Sequence, residues 1–464
     1  MTLGVELGPV ELPAYELPEA FPAVPVATYR ARLAAAAAAA GEAGLDALVV
    51  YADREHFANL SYLTGYDPRF EESLLIMVPG RAPVLLVGNE GVAYAAVVPD
   101  EVEVVLYQGF SLVSQDRSAS PRLGAVLAAA GLGSDGGVRQ VGVAGWKWFS
   151  AAEASDPALW VDAPSFIVDM LRSLGCVVVN ATGLFTAPGS GMRLISGADQ
   201  LACFEFAATH GSESMRRLLF GVRPGLTELS AFSLYQPIGL PLSYHPVLLS
   251  GERAALGLAS ASGRVLRVGD PVVASLGYWG SNIARGGFLA ASAADLPAPA
   301  ADYVERLVSP YFACAAEWYE TIGIEVTGDE LYSVMERYLA DPWFGVHLNP
   351  GHFIHLDEWP SSPVYAGSPV ALQSGMALQL DIIPATGTVY HTSNIEDGVV
   401  LADAALRAEI AARYPGMWER VLQRRSFMAE ALGISLKPEV LPLSNLAGYL
   451  PPFWLSPQLA MRRK

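Results

Sequence analysis

Short apolar runs that alternate with helical segments fill the first 190 residues and restrict them to one class of fold. Strands are predicted at 45–51, 73–78, 82–87, 138–143 and 176–179. Runs of this length are typical of buried strands, and their alternation with helices such as 29–40 predicts an α/β domain. Residues 59–66 are predicted to form an aromatic turn. The turn-rich segment 186–191 is a boundary, so this domain is expected to cover residues 26–190.

A second domain is expected over residues 191–432, and both ends of the chain are expected to lie outside the two domains. It begins with a long predicted helix over 199–219. Its strands are predicted at 271–276, 281–290, 377–383 and 394–401. Residues 1–25 have acids and prolines in place of the basic start and apolar core of a signal peptide, so they are expected to be a surface extension. Residues 433–464 are predicted to be a proline-rich tail.

Composition argues against several classes of partner. The formal net charge is −18 and no basic patch is evident, so neither nucleic acid nor an anionic membrane is expected as a partner. No apolar run reaches the length of a membrane span. The three cysteines are far apart and form no metal or disulfide motif, which is typical of a protein from the reducing cytoplasm.

Four of the seven histidines fall close together in the C-terminal third, with acidic residues beside them. The histidines are His347, His352, His355 and His391, and the acids include Asp357, Glu358, Asp381, Glu396 and Asp397. Histidine titrates near neutrality and ligates metals, so a cluster of histidines and carboxylates in an apolar segment favours a functional site.

The alternation of side chains along two predicted strands groups part of this cluster. In 377–383, Leu378 and Leu380 are expected to face the core, which turns Asp381 towards a cleft. In 394–401 the same period places Glu396 on a common face with Asn394. Unpaired burial of a carboxylate is costly, so each acid needs a specific partner in the cleft.

Six short motifs occur in the same order as in one superfamily. They lie at 62–65, 223–228, 269–270, 351–352, 375–376 and 395–397. Together they resemble the creatinase, prolidase and aminopeptidase P superfamily over roughly residues 29–403. The resemblance implies an α/β N-terminal domain and a C-terminal "pita-bread" domain, in which helices back a curved antiparallel sheet with the active site on its concave face. It also implies a homodimer.

The metallopeptidases of this superfamily hold two metal ions with two Asp, one His and two Glu. Position by position, the resemblance keeps His352 and Glu396 and replaces one Glu by Asp381. It places Ser275 and Asn282 where the two Asp would stand. Because two adjacent divalent ions need bridging carboxylates, a dinuclear centre is not expected. One divalent ion, Mn, Zn or Co, on the three retained ligands is expected at most, and a metal-free site is the alternative.

The activity expected from this resemblance is hydrolysis of a C–N bond in a small amino-acid-derived substrate or a short peptide. His352, Asp381 and Glu396 are expected to bind one metal ion or to act directly as acid and base, and Glu358 is a further candidate catalytic residue. His355, His391 and Arg285 are candidates for orienting the substrate or stabilising developing charge. Whether His355 or Asp357 takes the role of a second motif histidine is left open. A non-catalytic binding protein and a lyase-type reaction on the altered site are the alternatives.

Overall fold

The structure is a computed structural model that describes residues 3–133 and 137–464. The chain divides into two compact units. One unit contains residues 24–193, and its C-terminal limit lies close to the boundary expected at 190. The other contains residues 194–464 together with the N-terminal segment up to residue 23.

Within the described residues, the N-terminal unit is built on a mixed six-stranded sheet. In spatial order its strands are Glu103–Leu106, Val84–Val87, Ser73–Met77, Ala47–Ala52, Gln140–Ala144 and Val177–Asn180. Its α-helices are Val26–Glu42, Ala58–Thr64, Gly91–Tyr94, Leu123–Ala129, Ser165–Ser173 and Gly183–Thr186. The strands Ala47–Ala52, Ser73–Met77 and Val84–Val87 are almost entirely apolar and bury both faces, as strands covered by helices do. The predicted α/β class is confirmed.

The predicted aromatic turn at 59–66 is wrong, because Ala58–Thr64 is a helix. All seven of its residues are buried, so packing, and not the local preference of its aromatic residues, determines the conformation. The Asn59 side chain donates to the carbonyl oxygen of Gly145 at 2.8 Å and anchors the helix to the sheet. The helix ends at Gly65, whose φ of 77° is left-handed.

The C-terminal unit is built on an antiparallel sheet of seven strands within the described residues. Six follow one another in the order His352–Phe353, Ala377–Asp381, Asn394–Leu401, Ser281–Phe288, Pro271–Tyr278 and Val247–Ser250. The seventh, Val440–Pro442, pairs with the end of Asn394–Leu401. The strand at Asn394–Leu401 has the predicted bounds, and all eight of its residues are buried.

Helices cover one face of this sheet. The α-helices of the unit are Ala198–Gly221, Glu228–Phe232, Ser309–Thr321, Gly328–Leu339, Ala404–Arg413 and Pro415–Glu430. The side chains of Leu378, Leu380 and Ile395 join the large core between the sheet and these helices. Residues an odd number of positions away from these three on the same strand therefore face the opposite side of the sheet, because side chains alternate along a strand. The curved sheet backed by helices that we expected is confirmed.

The described residues near both ends of the chain belong to the C-terminal unit, contrary to the expectation of an extension and a tail. The strand Val5–Pro9 pairs antiparallel with Leu459–Arg463. Within the predicted tail, Trp454 is completely buried in the core. No local pattern predicts a pairing between two strands so far apart in the sequence. Among the residues described, no helix combines the length and apolar character needed to cross a membrane.

Candidate functional site

Three of the predicted site residues meet on the face of the C-terminal sheet that helices leave open. Asp381 and Glu396 are directly opposite each other on paired strands, and His352 lies on the next strand, opposite Gln379. Nε2 of His352 lies 3.8 Å from Oδ2 of Asp381 and 3.7 Å from Oε1 of Glu396. All three side chains are buried, and one ligand atom from each lies within 4.8 Å of the others. We call these three residues the His352 group.

The imidazole of His352 is oriented by its neighbours. Nδ1 lies 2.8 Å from the carbonyl oxygen of Phe353, which can only accept, so Nδ1 carries a hydrogen. The Trp359 ring stacks on the imidazole with 4.1 Å between centroids. In the neutral ring, Nε2 therefore presents a lone pair to the carboxylates, including Glu358 Oε1 at 3.2 Å. A lone pair directed at carboxylate oxygens is repelled unless a cation, either a proton or a metal ion, lies between them.

The pKa shifts of these side chains are consistent with this repulsion. Burial alone would lower the pKa of His352, but the nearby Glu358, Glu396 and Asp381 carboxylates outweigh burial and raise this pKa well above its usual value. Burial raises the pKa of Asp381 and of Glu396, and repulsion from neighbouring carboxylates raises both further. Oδ1 of Asp381 is buried and has no hydrogen-bond partner among the described residues. One imidazole nitrogen and two carboxylates fit a single divalent ion of the Mn, Zn or Co type.

Asn282 and Ser275, where the resemblance implies two aspartates, lie beside the group and carry no charge. Asn282 donates from Nδ2 to Oε1 of Glu396 at 2.8 Å, and Ser275 lies on the neighbouring strand. Tyr244, which was not predicted as a site residue, donates from its hydroxyl to Oδ1 of Asn282 at 2.8 Å. The sequence feature that relates to Tyr244 is Gly277, which leaves room for the tyrosine ring above its strand. This relation can be recognised only once the fold is known.

Glu358 and His355 lie near the group in different surroundings. Glu358 keeps about a quarter of its side chain exposed, at 26%, so it borders the group on a side that solvent reaches. His355 is buried, and its ring packs edge-on against Phe204 with 5.2 Å between centroids. Asp357 is also buried. Neither His355 nor Asp357 belongs to the His352 group.

Arg285 does not reach the site, which corrects the predicted role in orienting substrate. Its side chain is fully buried on the helix-covered face, where Nη2 lies 2.8 Å from Oδ2 of Asp397. It also donates to the carbonyl oxygens of Leu446 and Tyr449. Asn282 and Arg285 are three residues apart on one strand, so the period of two already places them on opposite faces.

Two further histidines are also not brought to the His352 group. His391 lies in the connection between the strands Ala377–Asp381 and Asn394–Leu401, with a left-handed φ of 54°. Its ring contacts Phe288 at 6.3 Å between centroids, and burial lowers its pKa. His347 is exposed. The sequence cluster of four histidines thus contributes one member to the group.

Comparisons with known proteins agree with this fold. Residues 32–165 match the family described as the Creatinase/Prolidase N-terminal domain. The chain is similar to the Xaa-Pro dipeptidase of Bacillus anthracis, with a TM-score of 0.61, 17% identity and coverage of 81% of this chain and 96% of that one. For the prolidase of Pyrococcus furiosus the TM-score is 0.60, the identity 15% and the coverage 79% and 96%. No curated protein sequence matches the chain.

The aminopeptidase PepP of Pseudomonas aeruginosa is also similar, with a TM-score of 0.54, 15% identity and coverage of 84% of this chain and 98% of that one. The predicted resemblance to the creatinase, prolidase and aminopeptidase P superfamily is confirmed. The N-terminal domain matches it in sequence, and the C-terminal domain has the pita-bread fold. At these identities the structural likeness establishes the fold alone.

Proposed function

We propose that the chain is a hydrolase that cleaves a C–N bond in a short peptide or another small amino-acid derivative, with one divalent ion held by the His352 group. The observation that carries this proposal is the orientation of His352. Its Nε2 faces three carboxylate oxygens at 3.2, 3.7 and 3.8 Å, and a cation resolves their repulsion. The solved structures named as an Xaa-Pro dipeptidase and a prolidase support peptides as the substrate class.

The residues of the group have separate tasks in this proposal. A divalent ion, when bound, would polarise a carbonyl group and make bound water more acidic. Asp381 and Glu396 offset its charge, and Asn282 holds Glu396 in place through the hydrogen bond to Oε1. About a quarter of the Glu358 side chain is exposed to solvent, so its carboxylate can accept a proton from an attacking water and return it to the leaving nitrogen.

Glu358→Gln tests the hydrolase proposal, because it preserves the shape of the side chain and removes its basicity. Hydrolysis would be followed by amine release from a panel of dipeptides, Xaa-Pro dipeptides among them, and of N-acyl amino acids. We expect the variant to lose at least about 100-fold in kcat, the usual range for a general base, while still binding the ion. Glu305→Gln, at an exposed position, is the matched control.

Activity that is unchanged in Glu358→Gln would overturn the assignment of Glu358. If the wild-type protein binds the ion and hydrolyses no member of the panel, the hydrolase proposal fails in favour of a binding protein. We also propose that the protein is a homodimer, on the basis of the superfamily resemblance. Sedimentation that gives the mass of a single chain at micromolar concentration would contradict this.

A further inference from the structure

The segment that precedes the strand Val247–Ser250 brings a tyrosine over the sheet beside the His352 group. Its backbone runs along Pro271–Tyr278, because the amide of Ser243 donates to the carbonyl oxygen of Gly277 at 3.1 Å. Leu242 bridges to Tyr278 in the same alignment. The Tyr244 ring consequently lies over Gly277, where an added Cβ would come within 2.5 Å of Cε1 of the tyrosine. Only glycine at 277 leaves room for this ring.

The Tyr244 hydroxyl lies beside the side chains at the two positions where the resemblance implies metal-binding aspartates, Asn282 and Ser275. It donates to Oδ1 of Asn282 at 2.8 Å. Ser275 lies two residues from Gly277 on the same strand, so its side chain is on the face of the sheet that the Tyr244 ring covers. Both residues are neutral, so they offer a divalent ion no charge compensation. A hydroxyl hydrogen-bonded to Oδ1 of Asn282 also occupies the space in which an ion would contact this oxygen, since metal–oxygen bonds are shorter than hydrogen bonds.

We propose that the Tyr244 hydroxyl takes the place of the second metal ion and thereby restricts the site to one ion. This inference rests on the proposed one-ion function, and Tyr244 is the residue that limits the number of ions to one. Tyr244 is a positioning residue in this account. Its hydrogen bond fixes the Asn282 amide with Oδ1 as acceptor, so that Nδ2 is directed to Oε1 of Glu396.

A direct consequence concerns the restoration of a second ion. From the ligand positions alone, Ser275→Asp with Asn282→Asp would be sufficient to create a dinuclear site. With Tyr244 present, the phenol hydroxyl instead lies against the new carboxylate at 282 and takes the position of an ion there. The double variant is therefore expected to bind one ion, and addition of Tyr244→Ala is expected to raise the number to two.

The test is the number of manganese ions per chain, measured by elemental analysis after equilibrium dialysis against Mn²⁺. The proteins are wild type, Ser275→Asp/Asn282→Asp, and the same double variant with Tyr244→Ala. Electron paramagnetic resonance of bound Mn²⁺ gives a second readout, since two adjacent ions couple magnetically. Tyr365→Ala in the double variant is the matched control, because Tyr365 is an exposed tyrosine. Thermal melting establishes that each variant is folded.

Two ions in the double variant with Tyr244 intact, or one ion in the folded triple variant, would overturn the role of Tyr244. If wild type binds no ion, the proposed function is contradicted, because that function depends on the wild-type ion count. The role of Tyr244 depends on the counts in the variants. If the triple variant does not fold, anomalous scattering from wild-type crystals grown in excess Zn²⁺ decides the question. One peak at the His352 group supports the inference, and a second peak between Ser275 and Asn282 refutes it.

Discussion

Oδ2 of Asp381 lies 3.8 Å from Nε2 of His352, and both side chains are almost completely buried. This separation is too long for a hydrogen bond and somewhat longer than the distance between two ligands of one ion. A small movement of either side chain would allow both to bind the same ion. Oδ1 of Asp381 is buried without a hydrogen-bond partner among the described residues, so it is free to bind an ion.

Asp381→Asn should weaken the binding of a divalent ion by more than about 100-fold, because loss of a partner outside the ligand set already costs 10–100-fold. The amide keeps the size of the side chain, so the fold should persist. The measurement is the rise in melting temperature with increasing Mn²⁺, since a ligand that binds the folded state stabilises it. Asp156→Asn, at an exposed position, is the control. An equal rise in Asp381→Asn and wild type would exclude Asp381 as a ligand.

Arg285→Met should reduce the free energy of unfolding by about 3–5 kcal/mol, because it leaves Asp397 as a buried charge without its partner. The loss also releases two carbonyl groups of the segment 446–449. Urea unfolding measures this change. The folded fraction should still bind one Mn²⁺, since Arg285 faces away from the His352 group. If the variant has normal stability and impaired catalysis, the prediction is wrong and Arg285 acts in the functional site.

The N-terminal unit should lose stability between about pH 6.5 and pH 9. Nδ1 of His56 lies 2.8 Å from Oδ1 of Asp53, and Nε2 lies 3.3 Å from Oδ2 of Asp162. Burial alone would lower the pKa of His56, but the two carboxylates outweigh it and raise this pKa to about 9, from 6.5. A raised histidine pKa stabilises the fold fully below the unfolded value, and the contribution is lost as the pH rises through 9.

The measurement is urea unfolding followed by tryptophan fluorescence, to which Trp146, whose ring contacts His56, contributes. We expect a decrease of roughly 2 kcal/mol over this pH range, after allowance for partial solvent screening of the pair. His56→Gln should be less stable at pH 6 and should show no such decrease. A wild-type stability that stays constant or increases from pH 6.5 to 9 would be inconsistent with a charged His56.

The sequence predicted the parts of the site that depend on local periodicity. Alternation along two strands placed Asp381 and Glu396 on the open face because the period of a strand does not depend on its neighbours. The same rule, applied to Asn282 and Arg285, would have excluded Arg285. Tyr244 could not be predicted, because its place depends on the path of a loop over Gly277. The pairing of Val5–Pro9 with Leu459–Arg463 is likewise non-local.

The number of Mn²⁺ ions bound per chain, measured by isothermal titration calorimetry, tests the central claim most directly. Wild type and Glu396→Gln are compared, since the amide removes one of the two carboxylates in the His352 group while leaving its shape. We expect one ion per wild-type chain and no measurable binding to Glu396→Gln. Two ions per wild-type chain, or equal binding by the two proteins, would contradict it.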